Sequence, residues 1–249
     1  MALKLNLLLI PIFISTCAVS QTSQDDYSFK APDSSVNLKK LNLWATQYYI
    51  HKFKSGGSIP ILDQKGKSLG LFADTCNFCD AALEGTAYVT DSLNNVTIIN
   101  FAKAGSTTLA DCRKCKKYAK SKLAVESWGK ALWSKSSGFG DGVKNYKLIP
   151  FRTIAVDNKN IPYGTVIYIP KVKGKMIELP NGEKVEHDGY FFAGDTGGAI
   201  KKNHVDVFTG IFSGNPFTEV IRSNENKTFD AYIVRDTNII HQLTVLQTK

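Results

Sequence analysis

Long apolar runs are scarce in this 249-residue chain. Beyond the first 20 residues, no stretch is long enough to cross a bilayer as a helix. Histidine is also rare, with four residues in all, and none stands at a metal-ligand spacing from another. We therefore interpret His204 as a positioning or packing residue rather than a metal ligand or a catalytic base. No internal repeat is present, which excludes a repeat architecture.

The first 20 residues have the features of a secretory signal peptide. Lys4 provides the positive start, residues 5–15 form a short apolar run, and small residues precede the expected cleavage after Ser20. Two alternatives stay open, namely lipidation at Cys17 and an uncleaved anchor. We expect the polar stretch at residues 21–40 to be a flexible leader.

Acidic residues are outnumbered: 31 Lys and Arg face 22 Asp and Glu, for a formal net charge of +9. An exported basic protein is drawn to anionic surfaces such as cell-wall polymers, lipid headgroups or nucleic acid, although general solubility also accounts for the charge. The sequence has no basic helix, zinc-finger spacing or aromatic base-stacking motif. Nucleic acid is therefore not an expected partner.

Short β-forming segments separated by Gly and Asn turns dominate the rest of the chain. Leu41 to Phe53 is predicted to be one strand, and strand signals are dense from Tyr146 to the C-terminus. Many short strands with few helices indicate a closed β-barrel. Residues 59–145 differ in kind and are predicted to be an insertion with mixed helix and strand, its helix lying over residues 109–124.

All four cysteines beyond the leader lie in this insertion, as two pairs with CxxC spacing: Cys76, Cys79, Cys112 and Cys115. Oxidising compartments favour disulfides, so export favours structural disulfides here. A Cys₄ zinc site and a redox role are the alternatives, and four cysteines allow three disulfide pairings that the sequence does not distinguish. Under each structural interpretation, the cysteines hold the insertion together.

Two carboxylates, Asp195 and Asp206, frame the chemically most unusual stretch of the sequence, with a Gly197-Gly198 pair between them. The glycines permit positive φ and close approach of the backbone to a ligand. Asp206 stands between Val205 and Val207, and a desolvated flank raises the pKa of a carboxyl, which suits it to general acid work.

These residues resemble a known family. The run from Asp195 to Phe208 is similar to the 3D domain, named for three aspartates, and to the catalytic barrel of membrane-bound lytic transglycosylase A. Residues 154–157 and 161–165 resemble the upstream motif of that family, which makes Asp157 the third aspartate. Residues 44–49 resemble its first barrel strand, in which Thr46 is shared with expansin barrels.

The resemblance implies a mainly β fold, a six-stranded double-psi β-barrel with a cysteine-containing α+β insertion. It also implies a lyase that acts on peptidoglycan glycan strands without a cofactor, in the periplasm or cell envelope, after secretion across the inner membrane. Asp206 would be the single acid and base, and Asp195 would support the reacting sugar. Thr46, Gly197 and Gly198 would contact substrate, whereas Asp157 would cap a turn.

The insertion departs from the family pattern, because its sequence does not resemble the second domain that completes the groove of the transglycosylase. Expansin-like barrels keep the aspartate and bind polysaccharide without cleaving it. A non-catalytic wall-binding protein is therefore one alternative function. An envelope scaffold organised by the cysteine insertion is another.

Overall fold

The computed structural model describes residues 27–33 and 38–249. The expected signal peptide, Cys17 and most of the expected leader lie outside the described residues. The strands are β1 (Lys39–Tyr48), β2 (His51–Lys54), β3 (Ile59–Leu62), β4 (Ser68–Ala73), β5 (Thr86–Thr90), β6 (Val96–Ala104), β7 (Ala131–Lys135), β8 (Thr153–Val156), β9 (Val166–Tyr168), β10 (Met176–Glu178), β11 (Lys184–Glu186), β12 (Tyr190–Asp195), β13 (His204–Phe208) and β14 (Phe229–Ile233). The helices are α1 (Thr75–Glu84), α2 (Val125–Trp128) and α3 (Thr237–Gln247).

Six strands close into a barrel in the order β1-β13-β8-β12-β9-β14. Strands β8 and β9 are buried along their whole length, as their apolar residues Ile154, Val156 and Ile167 indicate. The interior is filled by side chains such as Phe191 and Val205, so the barrel is a packed core and not a channel. The expected fold class, a six-stranded double-psi barrel with a cysteine-containing insertion, is confirmed.

The inserted region forms a second, separate core. A four-stranded sheet of order β2-β5-β6-β7 and the hairpin β3-β4 pack with α1 around the fully buried Phe78 and Trp133. The region begins at His51, because the predicted strand at residues 41–53 is divided into β1 and β2, which enter different sheets. After β7, the chain returns to the outside of the barrel, where Phe139 and Leu148 pack on Tyr48 and Phe208.

Two disulfides close this region: Cys76 with Cys115, and Cys79 with Cys112, with Cα–Cα distances of 5.5 and 5.7 Å. Both distances lie in the range usual for disulfides. One partner of each pair is on α1 and the other is at or beside a 3₁₀ turn at Cys112–Lys114. The bonds therefore attach a Lys-rich segment to the helix that contributes Phe78 to the local core.

The helices lie elsewhere than the sequence pattern predicted. The expected helix at residues 109–124 is wrong: the segment is a series of turns, since it is rich in Lys and has too few apolar positions to bury one helical face. The helix is α1 instead. Asp74 caps its N-terminus by accepting from the backbone N–H groups of Cys76 and Asn77, and Gly85 ends it with φ of 80°.

The N-terminal residues that the structure describes are ordered against the barrel, which corrects the expectation of a flexible leader for residues 27–33. Tyr27 is 3% exposed, and its hydroxyl donates a hydrogen bond to the carbonyl of Pro150. Its ring lies 4.4 Å from the guanidinium carbon of the buried Arg152. Aromatic burial and a cation–π contact explain why this short segment is attached.

Most of the predicted strands after Tyr146 are present, including the β10–β11 hairpin around the turn at residues 180–182. The segment at residues 146–152 is loop, in contrast to the strand signal from Tyr146 onward, and within the described residues no strand lies between β13 and β14. The C-terminal helix α3 was not anticipated. No helix within residues 27–33 and 38–249 combines the length and the apolar character needed to cross a bilayer.

Candidate active site

The two aspartates occupy equivalent positions on the strands that flank β8. Asp206 on β13 pairs with Ala155 on one side of β8, and Asp195 on β12 pairs with Ala155 on the other. Adjacent strands are about 4.8 Å apart, so the two backbones lie about 10 Å apart with one small side chain between them. Residues paired in this way project from the same face of a sheet.

That face is the outside of the barrel. Ala155 belongs to the cluster formed by Tyr48, Ile50, Phe139 and Ile200, whereas its neighbours on β8 point into the barrel interior. The aspartates therefore lie on the side to which the chain returns from the inserted region. Both carboxyls are half-buried, so they are partly desolvated and still reachable.

Asp206 is held by the strand beside it. Thr46 on β1 is its pairing partner in the parallel β1–β13 ladder, and the Thr46 hydroxyl donates a hydrogen bond to Oδ1 of Asp206 at 2.6 Å. Burial, with a smaller contribution from the charge of Asp195, raises the pKa of Asp206 to about 7, against the opposing effect of the Thr46 hydrogen bond. At neutral pH, Asp206 can therefore hold a proton and release it.

His204 extends this contact to a third group. Its ring stacks on Trp44 with centroids 3.6 Å apart, and its Nε2 lies 2.8 Å from the Thr46 hydroxyl oxygen. Burial lowers the pKa of His204, and the backbone carbonyl of Ala199 accepts a hydrogen bond from the ring. With the ring neutral and its proton on Nδ1, Nε2 would be an acceptor for the Thr46 hydroxyl.

This tautomer couples Thr46 to the protonation of Asp206. A hydroxyl has one proton, so Thr46 can donate either to the Asp206 carboxylate or to Nε2 of His204. When Asp206 is protonated, it can donate to Thr46 while Thr46 donates to His204. The predicted positioning role of His204 agrees with this arrangement, in which 7% of the residue is exposed.

Asp195 has a different set of partners. Its Oδ2 accepts from the Tyr48 hydroxyl at 2.7 Å, and its Oδ1 accepts from the backbone N–H of Thr196 at 2.8 Å. Burial raises the pKa of Asp195 to about 6, and both hydrogen bonds oppose that rise. Between these pKa values, Asp195 is mostly charged and Asp206 is mostly protonated. Acid catalysis beside an anion requires these two protonation states.

The loop between β12 and β13 contains the glycine pair. Neither Gly197 nor Gly198 has φ in the left-handed region, in contrast to the expectation, and the positive φ of this loop, 57°, is at Lys202. A Cβ at Gly197 would come within 2.8 Å of Ile200, whereas nothing lies within 4 Å of the Cβ position of Gly198. The space over Gly198 is thus open to a ligand.

Asp157 holds this loop in place rather than facing the aspartate pair. Its Oδ1 accepts from the N–H of Lys159 at 3.1 Å, which closes the turn after β8. Its Oδ2 accepts from the N–H of Lys202 at 2.8 Å, the residue with positive φ. These contacts suit the structural role predicted for Asp157. The four cysteines, also predicted to be structural, lie in the inserted region.

Two further residues enter the site from positions that the motif did not include. Tyr48 stands two residues after Thr46, and the period of two along a strand is a signal that could have identified it. Glu84, at the end of α1, accepts from the backbone N–H of Tyr49 at 2.9 Å and had no local signal. Across the described part of the chain, no group of three or more His, Cys, Asp or Glu residues is arranged to hold a metal ion.

Residues 152–214, which contain both aspartates and their loop, match the family model of the 3D domain. The chain therefore carries a 3D domain. No protein with a curated description matches the sequence.

The fold is similar to that of solved lytic transglycosylases. Escherichia coli MltA with bound chitohexaose superposes with a TM-score of 0.52 at 16% identity, over 78% of this chain and 72% of that one. A membrane-bound lytic murein transglycosylase from Agrobacterium tumefaciens has a TM-score of 0.50 at 14% identity, over 82% and 77% of the respective chains. At such identities, the likeness establishes an MltA-like barrel fold.

Proposed function

We propose that this protein is an exported lytic transglycosylase that cleaves the β-1,4 bond between N-acetylmuramic acid and N-acetylglucosamine in peptidoglycan. The observation that carries the proposal is the pairing of a half-buried Asp206, held by Thr46 at 2.6 Å, with Asp195 across Ala155. The fold shared with MltA, which binds chitohexaose in one of its structures, supports a glycan as the ligand.

In the proposed reaction, protonated Asp206 donates its proton to the glycosidic oxygen as the bond from that oxygen to C1 of the muramic sugar breaks. The C6 hydroxyl oxygen of the same sugar then attacks C1, and its proton passes to the Asp206 carboxylate. The product is a 1,6-anhydro ring, and the acid is regenerated. Because water does not attack, a second carboxyl in the position of a hydrolase nucleophile is unnecessary.

Asp195 supports the positive charge that develops at the sugar ring. Its carboxylate is fixed by Tyr48 and the Thr196 N–H, so little reorganisation is needed when the charge appears. The open space over Gly198 leaves room for a sugar ring beside the loop. The net charge of +9 favours association with an anionic cell wall, in the periplasm or at the envelope.

The test is incubation of the protein with purified peptidoglycan and mass spectrometry of the soluble products. We expect 1,6-anhydromuropeptides from the native protein and a loss of at least about 10³-fold in rate for Asp206→Asn, since the acid is removed while the shape is kept. Glu225→Gln, an exposed change, is the matched control. Sedimentation with peptidoglycan without any product, in native protein and Asp206→Asn alike, would instead identify a non-catalytic wall binder.

A further inference from the structure

Helix α1 of the inserted region ends at the barrel site. Its last residue is Glu84, followed by Gly85 in the left-handed conformation that terminates the helix. The Oε2 atom of Glu84 accepts from the backbone N–H of Tyr49 at 2.9 Å. The inserted region therefore touches the barrel one residue beyond the end of β1.

Three carboxyl groups therefore lie beside the end of β1. Thr46 bonds Asp206, Tyr48 bonds Asp195, and the next residue along, Tyr49, bonds Glu84. The negative charge of Asp206 acts on Glu84, and that of Glu84 acts on Tyr48. Glu84 thus borders the same site as the two aspartates, from the side of the inserted region.

Only one oxygen of the Glu84 carboxyl is hydrogen-bonded by the described part of the chain. Within the described residues it accepts only the Tyr49 hydrogen bond, through Oε2, and no Lys, Arg or His forms an ion pair with it. Lys117, the nearby cation, pairs with Asp80 at 2.6 Å instead. Glu84 is half-buried and its second carboxyl oxygen remains accessible to solvent, so a ligand can reach it.

Burial raises the pKa of Glu84 to about 8, and the Tyr49 hydrogen bond opposes that rise. The carboxyl is therefore largely protonated at neutral pH, when it offers one O–H donor. The other titratable groups that act on Glu84, or on which it acts, are Asp206, Asp80, Lys117, Tyr48, Tyr49 and Tyr118.

We propose that Glu84 is a glycan-contacting residue contributed by the inserted region, with its carboxyl hydrogen-bonding an oxygen of an N-acetylated β-1,4-linked sugar chain. The proposal rests on the proposed function, since it assumes that the aspartate site holds a glycan. It assigns to the cysteine-bearing insertion a direct part in recognition, with the disulfides holding the helix that presents the carboxyl.

The test uses chitohexaose as the probe and Asp206→Asn as the background, which prevents turnover and removes the titration of Asp206. Calorimetric titration between pH 6.5 and 9.5 should show the dissociation constant rising about 5- to 10-fold as Glu84 ionises and loses its donor. Adding Glu84→Gln should keep the affinity at pH 6.5 within about 3-fold and abolish the pH dependence, since an amide still donates and does not titrate. Adding Glu84→Ala should give a pH-independent dissociation constant, about 10-fold above that of the background at pH 6.5.

Glu186→Gln, an exposed change on β11, is the control and should behave like the background. Thermal unfolding of each variant checks that the fold is kept. Unaltered affinity in Glu84→Ala, or a pH dependence that survives Glu84→Gln, would overturn the role of Glu84 while leaving the proposed function intact. If the background protein bound neither chitohexaose nor peptidoglycan, the proposed function itself would fail.

Discussion

Asp195 and Asp206 are both paired with Ala155, one on each side of strand β8. The loop between them in the sequence is held by Asp157, which accepts a hydrogen bond from the N–H of Lys202. The two carboxyls have different partners, with Tyr48 on Asp195 and Thr46 on Asp206. Asp195 accepts a second hydrogen bond, from the Thr196 N–H, and the charge of Asp195 raises the pKa of Asp206, so Asp206 keeps its proton to a higher pH.

The rate of wall cleavage should follow a narrow bell-shaped pH profile. Asp206 must be protonated, so the rate falls as pH rises past about 7; Asp195 must be charged, so the rate falls as pH drops below about 6. The Asp195→Asn variant should react more slowly, and its rate should no longer fall at low pH. Its alkaline limb should move to lower pH, because the charge of Asp195 no longer raises the pKa of Asp206.

Initial rates of muropeptide release over pH 4–9 would check this profile, with Glu225→Gln as the matched carboxyl control. A rate that stays constant from pH 6 to pH 9 would reject Asp206 as the acid.

The same pKa shift predicts that Asp206→Asn stabilises the protein at alkaline pH. The pKa of Asp206 is raised from 3.8 to about 7 in the folded state. Protonated Asp206 therefore favours the folded protein below pH 3.8, and this contribution to the free energy of unfolding is lost as pH rises through about 7. Removing the ionisable group should increase the free energy of unfolding at pH 8 by on the order of 1–3 kcal/mol, with little effect at pH 4. Urea unfolding at both pH values measures it, and an equal effect at both would contradict the shift.

Two replacements of Thr46 should distinguish the effect of its hydroxyl on the rate from the effect of its shape. Thr46→Val keeps the volume and removes the donor to Asp206, so the pKa of Asp206 should rise and the rate should fall about 10-fold or more. Thr46→Ser keeps the hydroxyl and should retain most of the activity. The pH–rate profiles of the two variants provide the comparison. A Val variant with a native profile would show that the hydrogen bond has no part in the reaction.

The sequence predicted the barrel, and it placed Asp195 and Asp206 in one chemically unusual stretch, for a physical reason. Both depend on local patterns: β-forming residues with Gly and Asn turns, and a carboxyl, Asp206, between two buried Val residues. Helix α1 also had local signals, with Asp74 at its N-cap and Gly85 after its end. The CxxC spacing in the same segment was interpreted only as a structural constraint on the cysteines.

Other features depend on contacts between distant segments. Glu84 reaches Tyr49 across 35 residues, and Tyr27 meets Pro150 across 123. Nothing in the residues beside Glu84 indicates that its helix ends at the barrel. The choice among disulfide pairings likewise follows from which faces of α1 and the 3₁₀ turn meet.

Loss of one disulfide should destabilise the inserted region more than the barrel. Cys79 and Cys112 are separated by 33 residues, and closing such a loop contributes about 3–4 kcal/mol in the chain-entropy model. In the double variant Cys79→Ser/Cys112→Ser, helix α1 should therefore lose protection from hydrogen exchange at a lower urea concentration than β8 and β12 do. Intact-mass measurement with and without reductant checks that the native protein has two disulfides. Equal exchange in both regions would mean that they unfold as one unit.

The ion pair beneath the N-terminal segment should be among the most sensitive positions for stability. Arg152 and Asp188 have side chains 0% and 2% exposed and form two hydrogen bonds, at 2.8 and 3.1 Å. Asp188→Asn leaves the guanidinium charge buried without its counter-ion, so we expect a loss of about 3–5 kcal/mol in the free energy of unfolding.

Asp230→Asn is the control for this change. It breaks an exposed pair with Lys40, at 2.8 Å, that should be worth less than about 1 kcal/mol. Asp188 directly precedes Gly189 and β12, the strand that ends at Asp195, yet its partners lie at the opposite end of that strand from the aspartate site. The rate of the folded Asp188→Asn protein at low temperature should therefore stay near the native value. A large loss of stability with normal turnover would establish that the charge pair stabilises the barrel without taking part in catalysis, whereas equal losses in both variants would place the pair's contribution at the level of a surface contact.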